Sequence, residues 1–329
     1  MKIWVLIFLG LLGISGSAEE KSLSQLQLDS VEFSNADLSS VLSFLGDKAK
    51  QMKGKPANFM LYDPSGELAK ADKKITLSLK NVPFSEVIKY VTKLSQTEFL
   101  IDRRVVWIGY PAALQKLRSR RASRNSNIMT SPAFQRMAGI SGPNIEFSNT
   151  PFVEVVESLR QLDRAASGPG NFVIIESDTL TAADAKLSMK VSGLSLTELV
   201  QYSAELSGFR LRADRNAIIF RAPDSRVQPV LPPGRITTYL GERELDKISL
   251  VEVPVPDMAQ FIGHHSKSSA APKGINVVLF TSTAKTVTLD LIKPRLLDIL
   301  RYMNEQTDTT FQVDKTTMKI IDLPPPKEN

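Results

Sequence analysis

Lys74-Ile-Thr-Leu-Ser-Leu-Lys80, followed by Phe84-Ser-Glu-Val-Ile-Lys-Tyr90, is written three times in this chain. The second copy is Lys186-Leu-Ser-Met-Lys-Val191 with Leu196-Thr-Glu-Leu-Val-Gln-Tyr202. The third is Val287-Thr-Leu-Asp-Leu291 with Leu296-Leu-Asp-Ile-Leu-Arg-Tyr302. Fifteen residues separate Ile75 from Tyr90, Leu187 from Tyr202 and Val287 from Tyr302. A repeat held in register over this length sets the architecture before any other signal is read. The first part of each copy alternates. Ile75, Leu77 and Leu79 fall on one side, Thr76 and Ser78 on the other, which describes a half-buried strand. The second part has helical spacing.

The flanks repeat as well. Before each alternating strand comes an apolar-Glu-apolar triplet, at Val31-Glu-Phe33, Ile145-Glu-Phe147 and Val251-Glu-Val253. Each leads into an amphipathic helix, with Leu38, Val41, Leu42 and Leu45 in the first copy. Ser34, Asn35 and Asp37 suit its cap, Ser148 and Asn149 that of the second copy, and Pro151 an early helical position. A further strand follows at Asn58–Tyr62, Asn171–Ile175 and Ile275–Phe280. Each copy closes on a hairpin whose turn holds Asp102, Asp214 or Asp314 before a basic residue. The expected fold class is α+β: three tandem βαββαββ modules, each with two helices packed on small sheets.

The chain of 329 residues is 42% apolar, enough for a core in each module. Residues 1–18, with Lys2, an apolar run from Ile3 to Leu12 and small residues to Ala18, read as a signal peptide cleaved after Ala18. A retained N-terminal anchor is the alternative. No cysteine is present, which excludes disulfides, thiol catalysis and cysteine-bound metals. Export without disulfides points to a bacterial periplasm. The net charge of +6 is concentrated in residues 111–143, which hold Lys116, Arg118, Arg120, Arg121, Arg124 and Arg136 and no acid. The expected division is module 1 at 19–110, a basic flexible linker at 111–143 and module 2 at 144–222. A Pro-rich linker at 223–246, module 3 at 247–323 and a disordered tail at 324–329 complete it.

The "ADLSSVL" helix face, the "NF-apolar-apolar" strand and Ile75-Thr-Leu-Ser-Leu-Lys-Asn-Val-Pro83 resemble the short N-terminal domain of secretins and TonB-dependent receptors. Lys293-Pro294 stands in the third copy where Asn-Val-Pro stands in the first, in a shifted register. The resemblance covers roughly residues 28–322 outside the linkers. It implies binding of other proteins in the periplasm. It does not imply a pore, since no barrel-forming segment follows Leu323 in this sequence.

Candidate chemistry is sparse. His264 and His265 are adjacent, so they do not share a helix face, and no metal spacing surrounds them. Glu32, Glu146 and Glu252, and Glu86, Glu198 and Asp298, recur as structural acids: the first set as outward strand residues, the second beside helix N-termini. Tyr90, Tyr202 and Tyr302 read as core rings with a wet hydroxyl. No catalytic set, cofactor or metal site is expected. Arg118, Arg120, Arg121 and Arg124 are the candidate contact to a partner or polymer. The expected function is a periplasmic, non-enzymatic interaction scaffold, binding other envelope proteins or itself in a secretion or pilus-like system. The alternative is binding of an anionic envelope polymer through the Arg-rich segment. Nucleic acid is not an expected partner, because the chain is exported and its bases are not interleaved with aromatics.

Overall fold

The computed structural model describes residues 25–52, 58–71, 73–102, 104–122, 126–214, 217–225, 234–267, 274–314 and 317–323. The signal segment, the C-terminal tail and Arg124 lie outside the described residues. Residues 1–118 form one compact unit and residues 119–329 a second, so modules 2 and 3 share a unit.

Module 1 runs β1 (Gln27–Asp37), α1 (Leu38–Gln51), β2 (Asn58–Tyr62), α2 (Glu67–Lys70), β3 (Lys74–Pro83), α3 (Phe84–Ser95), β4 (Glu98–Asp102) and β5 (Val105–Gly109). Then come α4 (Pro111–Ala122), α5 (Ser126–Met129) and α6 (Pro132–Ala138). Module 2 is β6 (Ile145–Pro151), α7 (Phe152–Ala165), β7 (Phe172–Ile175), β8 (Lys186–Val191), α8 (Leu196–Ser207), β9 (Arg210–Ala213) and β10 (Ile218–Arg221). After α9 (Arg235–Glu242), module 3 is β11 (Lys247–Pro254), α10 (Val255–His265), β12 (Asn276–Phe280), β13 (Thr286–Ile292), α11 (Leu296–Thr307), β14 (Thr309–Asp314) and β15 (Thr317–Asp322). The class is α+β, and the expected element order recurs in all three modules, with α2 added in the first.

Each module has the same two sheets. The alternating strand pairs antiparallel with the opening strand, as β1 with β3, β6 with β8 and β11 with β13. The other sheet has three strands, in orders β2-β5-β4, β7-β10-β9 and β12-β15-β14. In it the first strand runs parallel to the last and the hairpin is antiparallel. The two helices bury their apolar faces against these sheets. In module 1, Val41, Leu42 and Leu45 of α1 and Phe84, Val87, Ile88 and Val91 of α3 form one cluster with Ile75, Val106 and Ile108.

Backbone geometry repeats at a finer level than the strand patterns. The opening strands bulge between Phe33 and Ala36, Phe147 and Thr150, and Leu250 and Val253. Each bulge holds a left-handed residue: Asn35, Asn149 and Glu252, all at φ 51°. Asparagine tolerates this region well, and a bulge is where the chain needs it. Each of the three amides donates to a hydroxyl on the facing strand. The acceptors are Thr76 Oγ1 at 3.1 Å, Ser188 Oγ at 2.9 Å and Thr288 Oγ1 at 3.1 Å. The residues one step into the alternating strand are therefore polar because they satisfy the bulge.

This register corrects three expectations. Leu250 faces Leu289 as Phe33 faces Leu77, so Ile248-Ser249-Leu250 is the true third triplet. Glu252 belongs to the bulge and not with Glu32 and Glu146, and Val251 is exposed beside it. Asn149 likewise does not cap α7: Pro151 takes the N-cap position, without a side-chain cap bond. Third, the corner before the second helix is in register in all copies. Asn81, Gly193 and Lys293 each have positive φ and lie six residues after Ile75, Leu187 and Val287. The helix C-caps match too, at Gln96, Gly208 and Asp308, each in the left-handed conformation.

The segment 111–143 does not form a mobile tether over its described residues. α6 places Phe134 and Met137 in a buried position against α8, and Thr197 Oγ1 donates to the Phe134 carbonyl at 3.0 Å. The second linker is also structured in part. α9 buries Ile236 and Leu240 in the module 3 core. Both helices draw their stability from distant residues, which a local composition reading does not include.

Candidate interaction surfaces

Within the second unit, the sheet β7-β10-β9 of module 2 packs on α11 of module 3. Strand register puts Val173 beside Ile219 and Arg212, and Ile175 beside Arg221 and Arg210. Side chains two apart on a strand share a face, so these six form one outer sheet face. Val173, Ile175 and Ile219 join a single buried cluster with Leu296, Ile299, Leu300, Tyr302 and Met303. The other side of the same sheet serves module 2's own core, where Phe152 and Phe220 meet at 5.1 Å.

Polar contacts fix the docking. Asn171 Nδ2 donates to the Ile292 carbonyl at 2.9 Å, and the Ile292 amide donates to Asn171 Oδ1 at 2.8 Å. One side-chain amide thus completes the edge of β13 as a neighbouring strand would. Gln306 Nε2 donates to the Ile174 carbonyl at 2.9 Å. Arg212 makes a two-pronged contact with Glu305, at 3.0 and 2.8 Å, and Arg221 Nη1 lies 3.9 Å from the same carboxylate. Arg164 binds Asp290 at 2.9 Å. The Tyr302 hydroxyl reaches Asp214 of the module 2 hairpin at 3.4 Å. Burial pushes the Tyr302 phenol up, and the nearby Asp214 and Asp298 carboxylates add to the effect.

The same helix face is occupied differently in each module. In α8, Tyr202 is buried, with the Arg121 guanidinium 5.9 Å from its ring centre. Arg121 also pairs with Glu205, at 3.1 and 2.5 Å. Glu205 and Glu305 both lie three residues after the repeated tyrosine, so the two acids do the same work. In α3 that position is Lys93, and the face is open: Tyr90 is 44% exposed and Leu94 48%. Of the three expected core tyrosines, Tyr90 is therefore a surface ring. At the other end of the chain, the outer face of β12-β15-β14 shows Val278, 39% exposed, and Phe280, 59% exposed. Eight large apolar side chains are exposed among the described residues, and these four lie on just two faces.

The basic cluster separates into parts. Arg121 is tied to Glu205, and Arg136 binds Asp163 at 2.8 and 3.0 Å. Asp163 is buried and also accepts from the Gly170 amide at 2.8 Å. Gly168 is required beside it, since a Cβ there would lie 2.2 Å from Asp163 Oδ1. Arg121 and Arg136 are thus held by internal pairs. Lys116 and Arg118 are exposed on α4, and Arg120 is half-buried. Among the recurrent acids, Glu86 pairs with Lys89, Glu198 completes a capping box with Ser195, and burial raises the pKa of Asp298. The residue pattern points to the interface roles of Glu205 and Glu305 only once the register is known.

His264 and His265 close α10 with rings 5.2 Å apart and edge-on. Burial lowers the pKa of His265, helped by the charges of His264 and Arg243. Among the described residues, no group of three or more His, Asp or Glu is arranged to hold a metal ion. No described helix is long and apolar enough to cross a membrane. No family model matches this chain, nor does any curated protein or solved structure, so its likeness to secretin-type modules rests on the residues of the repeat.

Proposed function

We propose that this chain is an exported periplasmic scaffold without enzymatic activity. It binds proteins through the faces and strand edges of its secretin-type modules, within an envelope secretion or pilus-like assembly. One observation carries this reading: a sheet face and a helix face already form a protein–protein contact inside the chain, and the equivalent faces at its two ends are open. A contact of this kind combines apolar burial with a few polar anchors, as in domain and subunit interfaces. Outer strands such as β4 and β14 add a second means of capture, since their unpaired backbone groups can accept an added strand. The reading needs no cofactor.

The polymer alternative would act through Lys116, Arg118 and Arg120 on α4. Capture from envelope extract by the full exported chain separates the two. The scaffold reading expects stoichiometric protein capture that persists at about 0.5 M salt, where exposed charges are screened. It also expects loss of capture on L94D or F280D. If the retained material is an anionic polymer, lost at that salt and on R118A with R120A, the scaffold reading fails.

A further inference from the structure

Modules 2 and 3 show how a module of this type docks, and they show which residues the contact uses. On the helix side these are Tyr302, Glu305 and Gln306. The same positions of α3 are Tyr90, Lys93 and Leu94. On the sheet side, Val173 and Ile175 correspond by strand register to Val278 and Phe280, and Ile219 to Lys319. Arg212 and Arg221 correspond to Gln312 and Ile321. The head of the chain therefore presents an open copy of the helix face, and the tail an open copy of the sheet face.

The substitutions match across the two open faces. Where α11 has an acid facing two arginines, α3 has a lysine and β12-β15-β14 has no arginine at either position. Lys93 would oppose Gln312 and Ile321, and Lys319 lies beside both as the strand partner of Gln312. Leu94 stands in place of Gln306, Phe280 in place of Ile175 and Ile321 in place of Arg221, which adds apolar contact, whereas Lys319 replaces the buried Ile219. Asn276, the equivalent of Asn171, is exposed at the start of β12. In a repeat of the internal contact it would meet the backbone of Lys80, the equivalent of Ile292.

From this we infer that two copies of the chain join head to tail, the β12-β15-β14 face of one seating on α3 of the next. The inference deepens the scaffold reading and rests on it, by naming the partner as a second copy. Such a contact joins two different surfaces, so it does not close at two subunits by itself. It extends to a ring or a filament.

Light scattering of the purified full chain across a concentration series tests this, with circular dichroism to confirm that each variant folds. The wild type is expected to form species larger than a dimer. L94D breaks the head and F280D breaks the tail. Each alone should weaken association by at least about tenfold, as for loss of a central interface contact. Mixed one to one, they should give a dimer and nothing larger, because one intact head and one intact tail remain. A wild type that stays monomeric, single variants that still assemble, or a mixture that does not pair would each overturn head-to-tail joining. If the wild type is monomeric yet L94D or F280D abolishes stoichiometric capture of another envelope protein, only the second-copy partner falls. If neither assembly nor capture occurs, the scaffold reading falls with it.

Discussion

Helices α3 and α11 occupy the same place in the same fold, yet α3 exposes Lys89, Tyr90, Lys93 and Leu94 whereas α11 exposes only Arg301. Both follow the alternating strand at the same interval and end on a left-handed C-cap. Both bury an apolar face in their own module. They differ three and four residues after the shared tyrosine, where α3 has Lys93 and Leu94 and α11 has Glu305 and Gln306. The outer face of α11 carries a second interface, and the inner face carries the fold. A helix polar on one side can therefore be read in two ways, and only its neighbours decide which holds.

This comparison is broken most severely on the sheet side. Ile219 is fully buried between module 2 and α11, while its register equivalent Lys319 lies on the open face. I219D places an unpaired carboxylate in an apolar core and should cost about 4 kcal/mol or more in denaturant unfolding of the second unit. K319D, measured on dilute protein, should stay within about 0.5 kcal/mol. Similar losses from both would mean that the two faces are not used differently.

The acid comes next. Glu305 is buried beside Arg212 and Arg221. Removing its carboxylate leaves both guanidinium groups near apolar surface. E305A should cost about 2–3 kcal/mol, below the range for a fully buried pair because Arg212 is about one-third exposed. K93A should change stability by about 0.5 kcal/mol or less. Equal effects in the two helices would remove the distinction drawn between them.

The smallest effect separates the first helices of the modules. Asp37 accepts from the Ser40 amide and hydroxyl, each at 2.8 Å, whereas α7 and α10 have Pro151 and Pro254 at that position without a side-chain cap. D37A should lower the stability of the first unit by about 1 kcal/mol at neutral pH. The Ser40 amide, with the Ser40 hydroxyl, holds the Asp37 carboxyl below the usual aspartate range. Because its folded pKa is depressed, the contribution is present above the unfolded value and is lost as pH falls through the folded one. The gap between wild type and D37A should narrow on acidification, as followed by unfolding at a series of pH values. A constant gap would assign the effect to helix propensity.

Much of this was legible in the residues, for identifiable reasons. Ile75, Leu77 and Leu79 alternate because one strand face is buried, and Val87, Ile88 and Val91 recur at helical spacing because one helix face is. The bulge was not legible. It turns Asn35, Asn149 and Glu252 into one structural position, although the third side chain is unlike the others. The equivalence became visible through the hydroxyls of Thr76, Ser188 and Thr288. Helix α6 was missed because its stability comes from Phe134 and Met137 meeting α8, about sixty residues away in the chain. The basic segment held the same kind of surprise. Arg121 and Arg136 look like surplus charge until Glu205 and Asp163 are found beside them.

By itself, the sequence determined three copies of one α+β module and the register of their alternating strands and second helices. Period and spacing are local properties, and a chain can express them without knowing its neighbours. Tertiary structure alone decided which of the repeated faces are used. Tyr302 is buried and Tyr90 exposed because burial depends on whether a second surface arrives, and no residue encodes that alone. The pairing of Glu305 with Arg212 and Arg221 joins positions about ninety residues apart. Its meaning lies in the geometry that brings them together.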